Sequence, residues 1–319
     1  MPERYILEFE EPLKNIREKI HEMETWSEHD PEQAAVKIRD LEEQEKKLGK
    51  EIYKNLTNWQ RVQIARHPQR PHTMDYISTM ITDFTELHGD RTTGDDPAMI
   101  AGFGRLDGHA VAVIGQQKGR DNESRIRRNF AMASPEGYRK ALRIMKLAEK
   151  FNRPVISFVD TPGAFPGIEA EERGQGEAIA RNLMEMSALK VPIFIVIIGE
   201  GGSGGALGIG IGDRVMMLEN SWYSVIAPES CSMILMRNTD KKDKLSTSLK
   251  LTATDLRKLS IIDVIIKEPF GGAHNDPELV CANLKKEILK ALPDLQKKTP
   301  DTLVDERIKK FRAMGRWSE

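Results

Sequence analysis

The part of this 319-residue sequence best suited to chemistry is a glycine-rich run at residues 199–206, GEGGSGGA. It follows an apolar segment at residues 191–198 and precedes a stretch of small residues. A glycine turn between a strand and a helix presents backbone N–H groups at the start of the helix. Those groups and the helix dipole favour an anion or a developing oxyanion. Three kinds of site use such a turn.

The first kind is a dinucleotide-binding turn. Gly199, Gly201 and Gly204 match the pattern GxGxxG after an apolar segment. Glu219 lies 20 residues after Gly199, where an acid would bind a ribose. Only eight residues separate Gly204 from Asp213, however, and a crossover between parallel strands usually needs a dozen or more. The short spacing disfavours this interpretation.

The second kind is the nucleophile elbow of a serine hydrolase. Residues 201–205 satisfy GxSxG, and Asp263 and His274 follow in the order of a hydrolase triad. Ser203 would then attack, His274 would be the base, and Asp263 would orient it. Alternatively, Ser203 is only a small residue of the loop and His274 belongs to a surface turn.

The third kind is an oxyanion hole built from backbone N–H groups, which needs a donor from a second loop. The segment VDTPGAFPG at residues 159–167 supplies such a loop directly after a predicted strand. Its two prolines fix φ and its glycines permit a close backbone approach, as a preorganised donor requires. The sequence therefore predicts that two stiff glycine turns come together.

Apolar strand-like runs alternate with helical patterns after Pro71, which is typical of an α/β domain with buried strands. The predicted strands are residues 98–106, 110–115, 155–160, 191–198, 215–218, 223–226 and 261–266. The predicted helices are residues 74–87, 135–151, 171–189 and 277–292. Two strands in tandem before a helix indicate a repeated strand–strand–helix unit. Residues 1–70 are charged and predicted to be helical, with Asp30 as an N-cap.

Composition excludes several classes of function. The 48 Lys and Arg residues balance 49 Asp and Glu residues, so no overall field indicates nucleic acid or an acidic membrane. Cys231 and Cys281 lie far apart, which argues against a disulfide framework and a structural zinc site. The longest apolar run, residues 191–198, is too short to span a bilayer, and no secretory signal is present. We expect a cytoplasmic protein.

Motifs along nearly the whole chain resemble one known family. They are NWQRVQIARHP (58–68), ELHGDR (86–91), GDDP (94–97), VIGQQKGR (113–120), PEGYRKA (135–141), DTPGA (160–164), EERGQ (171–175), EGGSGGA (200–206) and GGAH (271–274). Together they resemble the alpha subunits of the carboxyltransferase of bacterial and plastid-type acetyl-CoA carboxylase. That family belongs to the crotonase superfamily. The resemblance implies a crotonase-like α/β spiral of strand–strand–helix units over residues 71–295, a helical extension at 1–70, and a C-terminal helix and tail at 296–319.

The resemblance also implies a function and an assembly. Together with a homologous beta subunit, such a chain transfers a carboxyl group from carboxybiotin to acetyl-CoA, giving malonyl-CoA. Biotin would be attached to a separate biotin carboxyl carrier protein, and a separate biotin carboxylase would use ATP. Biotin would lie mainly on the alpha side and coenzyme A on the beta side. We expect no metal on this chain, and the freed biotin nitrogen would serve as the base.

The site residues implied by the resemblance lie in the two loops. The backbone oxyanion hole would use Gly204 and Gly205, supported by Gly163 and Ala164. Substrate would also be contacted by Gly201, Gly202, Ser203 and Phe165.

Other polar residues near these loops have two interpretations. Glu200 and Arg173 are more consistent with structural salt bridges than with catalysis. The basic residues of 118–128 either receive a carboxylate or an acidic partner, or form a solvated face; they are Lys118, Arg120, Arg125, Arg127 and Arg128. A non-catalytic scaffold that docks a partner through residues 1–70 remains an alternative function.

Overall fold

A computed structural model describes residues 5–27 and 30–315, so the predicted tail at residues 316–319 lies outside the described residues. The strands are β1 (Ile81–Glu86), β2 (Met99–Leu106), β3 (His109–Gln116), β4 (Val155–Thr161), β5 (Ile193–Gly202), β6 (Arg214–Leu218), β7 (Trp222–Ser224) and β8 (Val264–Ile266). They form one mixed sheet in the order β1-β2-β3-β4-β5-β6-β8, and β7 pairs with the carboxyl end of β5.

Helices cover both faces of this sheet, and four of them precede its first strand in the chain. The first seven are α1 (Glu11–Trp26), α2 (Pro31–Lys54), α3 (Asn58–Ala65), α4 (Thr73–Met80), α5 (Asn122–Arg127), α6 (Pro135–Lys150) and α7 (Ile168–Glu172). The others are α8 (Gln175–Ala188), α9 (Ser203–Leu207), α10 (Pro228–Met236), α11 (Lys242–Ser248), α12 (Ala253–Lys258), α13 (Pro277–Gln296) and α14 (Pro300–Arg312). Single 3-10 turns occur at Glu8–Glu10 and Asn129–Ala131.

Strands β3, β4, β5, β6 and β8 run parallel, whereas β1, β2 and β3 pair in antiparallel fashion. Strand β5 shows why the sheet is buried on both faces. Ile193, Ile195 and Ile197 belong to the core beneath α6 and α8, and Phe194 and Val196 belong to the core beneath α4 and α13. Because successive side chains point to opposite faces, a continuous apolar run fills two cores at once.

The N-terminal helices form a hairpin in which α1 packs against α2. The N-cap predicted at Asp30 is confirmed, because its carboxylate accepts a hydrogen bond from Gln33 N–H at 3.1 Å. The hairpin contacts the sheet domain near α13, where Tyr53 donates to the carbonyl of Gly271 at 3.2 Å. Helix α3 lies deeper, because Val62 and Ala65 pack against Trp222.

Two of the predicted helices are divided in the structure. The helix predicted at residues 74–87 is wrong in its second half, because α4 ends at Met80 and β1 follows it. The β-branched and aromatic residues at 81–86 favour a strand, and β2 offers a free edge to pair with. The helix predicted at 171–189 is interrupted where Gly174 adopts a left-handed φ of 82° between α7 and α8.

The strand predicted at residues 191–198 is longer at its carboxyl end. Strand β5 continues through Gly202, so Gly199 and Gly201 lie in the strand and not in the turn. The reason is that Gly201 pairs with Thr161 of β4 on one side and with Tyr223 of β7 on the other. Helix α9 therefore follows the strand directly, beginning at Ser203.

Candidate active site

The two glycine loops lie at the carboxyl ends of neighbouring parallel strands. Strand β4 leads into the loop 162–167, and β5 leads directly into α9. Because β4 and β5 are paired in parallel, their carboxyl ends lie at the same edge of the sheet. The meeting of the two loops was predicted because a backbone oxyanion hole needs a second donor loop after another strand, and the structure places the two loops together.

The loops are in direct backbone contact. A Cβ atom added at Gly205 would overlap the carbonyl carbon of Gly163 and the nitrogen of Ala164. One added at Gly202 would overlap the carbonyl group of Pro162. Glycine is required at both positions because only a residue without a side chain permits this approach.

Peptide geometry fixes the direction of the Gly205 N–H group. The carbonyl of Gly204 accepts a hydrogen bond from Gly208 N–H at 2.9 Å, towards the C-terminal end of α9. A trans peptide is planar, so the Gly205 N–H in the same unit points the opposite way, out of the N-terminus of α9. The first N–H groups of an α-helix have no acceptor within the helix.

The same reasoning separates Ala164 from Gly163. The carbonyl of Gly163 accepts the Thr161 hydroxyl at 2.6 Å, which directs the Ala164 N–H away from that hydroxyl. No described residue accepts a hydrogen bond from Ala164 N–H. The Gly163 N–H, in contrast, donates to Thr161 Oγ1 at 3.1 Å. In the oxyanion hole predicted from sequence, Gly163 would therefore contribute only by orienting the Ala164 peptide, because its own N–H is occupied.

Two buried side chains that sequence reasoning did not single out hold the turn from behind. Gln116 donates from Nε2 to the Gly205 carbonyl at 2.7 Å and accepts the Asp160 N–H at 3.1 Å. The Tyr138 hydroxyl donates to the same Gly205 carbonyl at 3.0 Å. A polar residue at the end of an apolar strand, such as Gln116 in β3, was the available signal.

A cluster of charges lies at the base of both loops, in which Asp160 and Glu200 are buried and their cationic partners are partly buried. Lys118 Nζ is 2.7 Å from Asp160 Oδ1 and 2.8 Å from Glu200 Oε2. Arg66 Nε is 2.6 Å from Glu200 Oε1, and its other end pairs with Glu229. The salt-bridge interpretation of Glu200 is therefore confirmed. That of Arg173 is also confirmed, since its Nε lies 2.8 Å from a Glu136 oxygen.

The charged partners favour the ionised forms of Glu200 and Lys118, whereas burial has the larger effect on Asp160. Burial opposes the charge of Glu200, but Lys118 and Arg66 outweigh it and lower the pKa of that carboxyl to about 2. Burial likewise opposes the charge of Lys118, yet Asp160 and Glu200 raise the pKa of its ammonium above the usual value. Burial raises the pKa of Asp160 against the attraction of Lys118.

The serine-hydrolase triad is not assembled. Ser203 has a left-handed φ of 54° at the start of α9, as a sharp strand-to-helix turn requires. Asp263, however, accepts the Val215 N–H at 2.7 Å and pairs with Lys310. The His274 ring stacks on His67 with centroids 3.7 Å apart. The three residues that GxSxG and chain order associate are engaged in separate contacts.

The remaining predicted residues are Gly201 and Phe165 of the two loops and the basic residues of 118–128. Gly201 is buried within β5, and Phe165 is anchored through its N–H to the Ala133 carbonyl at 3.1 Å. Of the basic residues predicted as one cluster, Lys118 and Arg125 border the same cavity. Lys118 pairs there with Asp160, and Arg120 pairs with Asp75. The others make backbone contacts or are exposed; Arg125 donates to Gly119 O, Arg128 to Pro97 O, and Arg127 is exposed.

Two cavities adjoin the loops. One, of about 370 Å³, is largely apolar and is bordered by Ser203 and Leu207 of α9 and by Tyr223. The other, of about 280 Å³, is more polar than the first and is bordered by Pro162 and Glu200 as well as by other residues, including Lys118, Arg66 and His72. Among the described residues, no group of three or more His, Cys, Asp or Glu side chains could hold a metal ion.

Comparison with known proteins decides the family. A family model described as acetyl co-enzyme A carboxylase carboxyltransferase-like matches residues 6–315. The acetyl-coenzyme A carboxylase carboxyl transferase subunit alpha of Chlorobaculum parvum is 56% identical over 333 aligned positions, which cover 100% of this chain and 99% of the relative. The chain belongs to the acetyl-CoA carboxylase carboxyltransferase alpha-subunit family. The subunit of the same name from Geobacter metallireducens is 52% identical, with 100% of each chain covered.

Solved structures with the same fold are more distant in sequence. Transcarboxylase 12S superposes with a TM-score of 0.58 at 19% identity, covering 72% of this chain and 42% of that one. A chain of the Pseudomonas malonate decarboxylase MdcD-MdcE hetero-dimer gives 0.56 at 16% identity, covering 68% and 89%. The predicted crotonase-like α/β fold and the predicted class of enzyme, a carboxyltransferase, are confirmed. In the part of the chain that the structure describes, every helix is too short or too polar to cross a membrane.

Proposed function

We propose that this chain, together with a carboxyltransferase beta subunit, transfers a carboxyl group from carboxybiotin on a biotin carboxyl carrier protein to acetyl-CoA. The products are malonyl-CoA and the carrier protein with its attached biotin no longer carboxylated. Family membership supports the reaction, and relatives named as alpha subunits support a beta partner. A biotin carboxylase would supply the carboxylated carrier, since carboxybiotin is consumed in each cycle.

One observation carries the proposal for the site. The N–H groups of Gly205 and Ala164 belong to two touching loops, and each is turned outward by a peptide plane whose carbonyl is hydrogen-bonded. Two adjacent donors of this kind suit an oxygen that gains negative charge during reaction, and loss of one such donor typically costs about 3–4 kcal/mol. We assign Gly205 and Ala164 as the donors, with Gly204 and Gly163 as the residues that orient their peptides.

The oxygen that these donors would bind is the ureido oxygen of biotin. Carboxybiotin supplies an activated carboxyl group, and its ureido oxygen becomes more negative as that group leaves. The donor set fits because it consists of backbone N–H groups, which hold an oxyanion without themselves changing charge. The adjoining apolar cavity of about 370 Å³ lies within the size range of ligand sites. Leu207 and Tyr223 would give it an apolar surface beside the bound biotin.

The coenzyme A side of the reaction is assigned to the beta subunit. The enolate oxygen formed at the thioester needs its own donors, and a homologous subunit would provide a second hole. Ser203, Gly201, Gly202 and Phe165 are proposed as the residues of this chain that border bound substrate. Gly202 would act by allowing the two loops to approach, and Gly201 by allowing Tyr223 of β7 to pack against β5.

The assay of the assembled pair tests this proposal. The chain and a beta subunit are mixed with carboxylated carrier protein and acetyl-CoA, and malonyl-CoA is measured over time. We expect turnover only when both subunits are present. Correctly assembled subunits that form no malonyl-CoA would contradict the proposal and would favour a non-catalytic scaffold.

A further inference from the structure

The ammonium group of Lys118 connects the bases of the two glycine loops. Lys118 lies two residues after β3, and its Nζ contacts Asp160 of β4 at 2.7 Å and Glu200 of β5 at 2.8 Å. Asp160 lies just before Thr161, whose hydroxyl holds the Gly163 peptide. Glu200 lies five residues before Gly205. One side chain that follows β3 therefore contacts the two neighbouring strands, β4 and β5, close to the points where both loops begin.

We propose that Lys118 is a positioning residue, which sets the distance between the Gly205 and Ala164 N–H groups by tying Asp160 to Glu200. This inference rests on the proposed function of those two donors. Asp160 and Glu200 also interact directly, since Asp160 Oδ1 accepts the Glu200 N–H at 2.9 Å.

Electrostatics explains why a lysine is needed at this point. Two carboxylates in one buried site repel each other unless a cation lies between them. Arg66 neutralises Glu200 from the other side, at 2.6 Å, but among the residues that the structure describes no arginine forms an ion pair with Asp160. Lys118 is thus the ammonium that lets both carboxylates remain close, and with them the ends of β4 and β5.

The expected effect follows from how strictly an oxyanion hole depends on geometry. A displacement of about 1 Å in a reacting arrangement can lower the rate about 100-fold. Loss of the tie should therefore lower kcat, because the two donors no longer converge on one oxygen. The KM for acetyl-CoA should change little, because that substrate is assigned to the beta subunit.

The test uses a charge-balanced double variant, because Lys118→Met alone would leave Asp160 buried without its partner and could prevent folding. Lys118→Met/Asp160→Asn removes one charge of each sign. The matched control is Lys310→Met/Asp263→Asn. Lys310 has a side-chain exposure of 19%, against 18% for Lys118, and Asp263 also accepts a strand N–H, from Val215.

Both double variants are assembled with the beta subunit and assayed for malonyl-CoA formation, with the thermal midpoint measured in parallel. We expect the Lys118 pair to lower kcat about 30- to 100-fold with KM within about threefold, and the Lys310 pair to leave kcat within about twofold. Lys118→Arg, which can still contact both carboxylates, should retain more activity than the double variant.

The outcomes separate this inference from the proposed function. An assembled Lys118 double variant with unaltered kcat, or equal losses in both double variants, would overturn the positioning role while carboxyl transfer by the unaltered chain still stands. Absence of malonyl-CoA with the unaltered chain and its beta partner would overturn the proposed function and this inference together.

Discussion

The two ends of the parallel strands contain the same kind of ion pair with different neighbours. At the carboxyl end, Asp160 pairs with Lys118 and accepts the N–H of Glu200 in the next strand. At the amino end, Asp263 pairs with Lys310 and accepts the N–H of Val215. The first pair is followed by glycine loops, whereas the second ties α14 to the sheet. An ion pair of the same chemistry thus adjoins the proposed site at one end and holds a helix to the sheet at the other.

Each end of the parallel strands also contains a glycine at which a side chain would not fit. Gly205 faces the backbone of the opposite loop at the carboxyl end. At the amino end, a Cβ added at Gly212 would lie 2.8 Å from the Ile195 side chain and 2.9 Å from the Ile193 carbonyl. Both positions exclude a side chain, yet only the first adjoins the proposed oxyanion donors. Close packing alone therefore does not identify a functional glycine. The groups that lie next to the glycine distinguish the two cases.

The largest expected effect is that of a methyl group at each of these glycines. Gly205→Ala should separate the loops and lower kcat for carboxyl transfer by about 1,000-fold, as loss of a donor does. Gly212→Ala should cost about 1–3 kcal/mol of unfolding free energy but leave kcat of the folded protein within about twofold. Denaturant unfolding and the malonyl-CoA assay measure the two quantities.

A third variant controls for the substitution itself. A Cβ at Gly204 would find its nearest neighbour, Ile179, at 3.8 Å, so Gly204→Ala should fold normally. Equal loss of kcat in the Gly205 and Gly212 variants would remove the distinction between the two ends.

A pH-dependent effect on stability is expected from His72, which borders the polar cavity at the carboxyl end. Burial is the main cause that lowers the pKa of this imidazole to about 3, and Lys118, Arg120 and Arg125 add to it against the opposing effect of Asp75. The unfolded chain binds a proton near pH 6.5, so the folded state loses relative stability as the pH falls from about 6.5 towards 3.

The variant His72→Gln should remove this dependence. Between pH 7 and pH 5, the unaltered chain should lose up to about 2 kcal/mol more unfolding free energy than the variant, as measured by urea unfolding. His109→Gln, at an exposed position where β3 begins, is the control at the amino end. A pH response of His72→Gln equal to that of the unaltered chain would contradict the assignment.

The smallest expected effect is that of removing the Ser203 hydroxyl. Backbone donors do not need this side chain, so Ser203→Ala should keep kcat within about threefold. Ser203→Gly is the matched variant, because it also relieves the left-handed φ of 54°. A hydrolase would lose activity by several orders of magnitude in both variants, and such a loss would restore the Ser203 nucleophile.

Sequence alone could predict the two loops but not the contacts that orient them. The prolines and glycines of residues 159–167 and 199–206, each run following a predicted strand, implied that two stiff turns come together. The occupied N–H of Gly163 depends on the Thr161 hydroxyl two residues away, a local geometry that no motif specifies. Gln116 and Lys118 come from a different strand, and their reach to β4 and β5 depends on the tertiary arrangement of the sheet.

The end of β5 shows why the boundary of the turn was missed. Four residues of the glycine run belong to the strand because β7 pairs with Glu200 and Gly201 on their free side. Glycine has a weak preference for strands, so the local signal favours a turn and the long-range pairing overrides it. Long-range pairing also explains the helix predicted at residues 74–87, because pairing with β2 makes its second half a strand.

The most direct test is a crystal structure of the assembled alpha and beta subunits with biotin bound. The central claim is that the Gly205 and Ala164 N–H groups bind one oxygen of the reacting group. We predict that the ureido oxygen lies about 2.7–3.2 Å from both nitrogen atoms. A ureido oxygen held instead by side chains, or by neither nitrogen, would contradict the account.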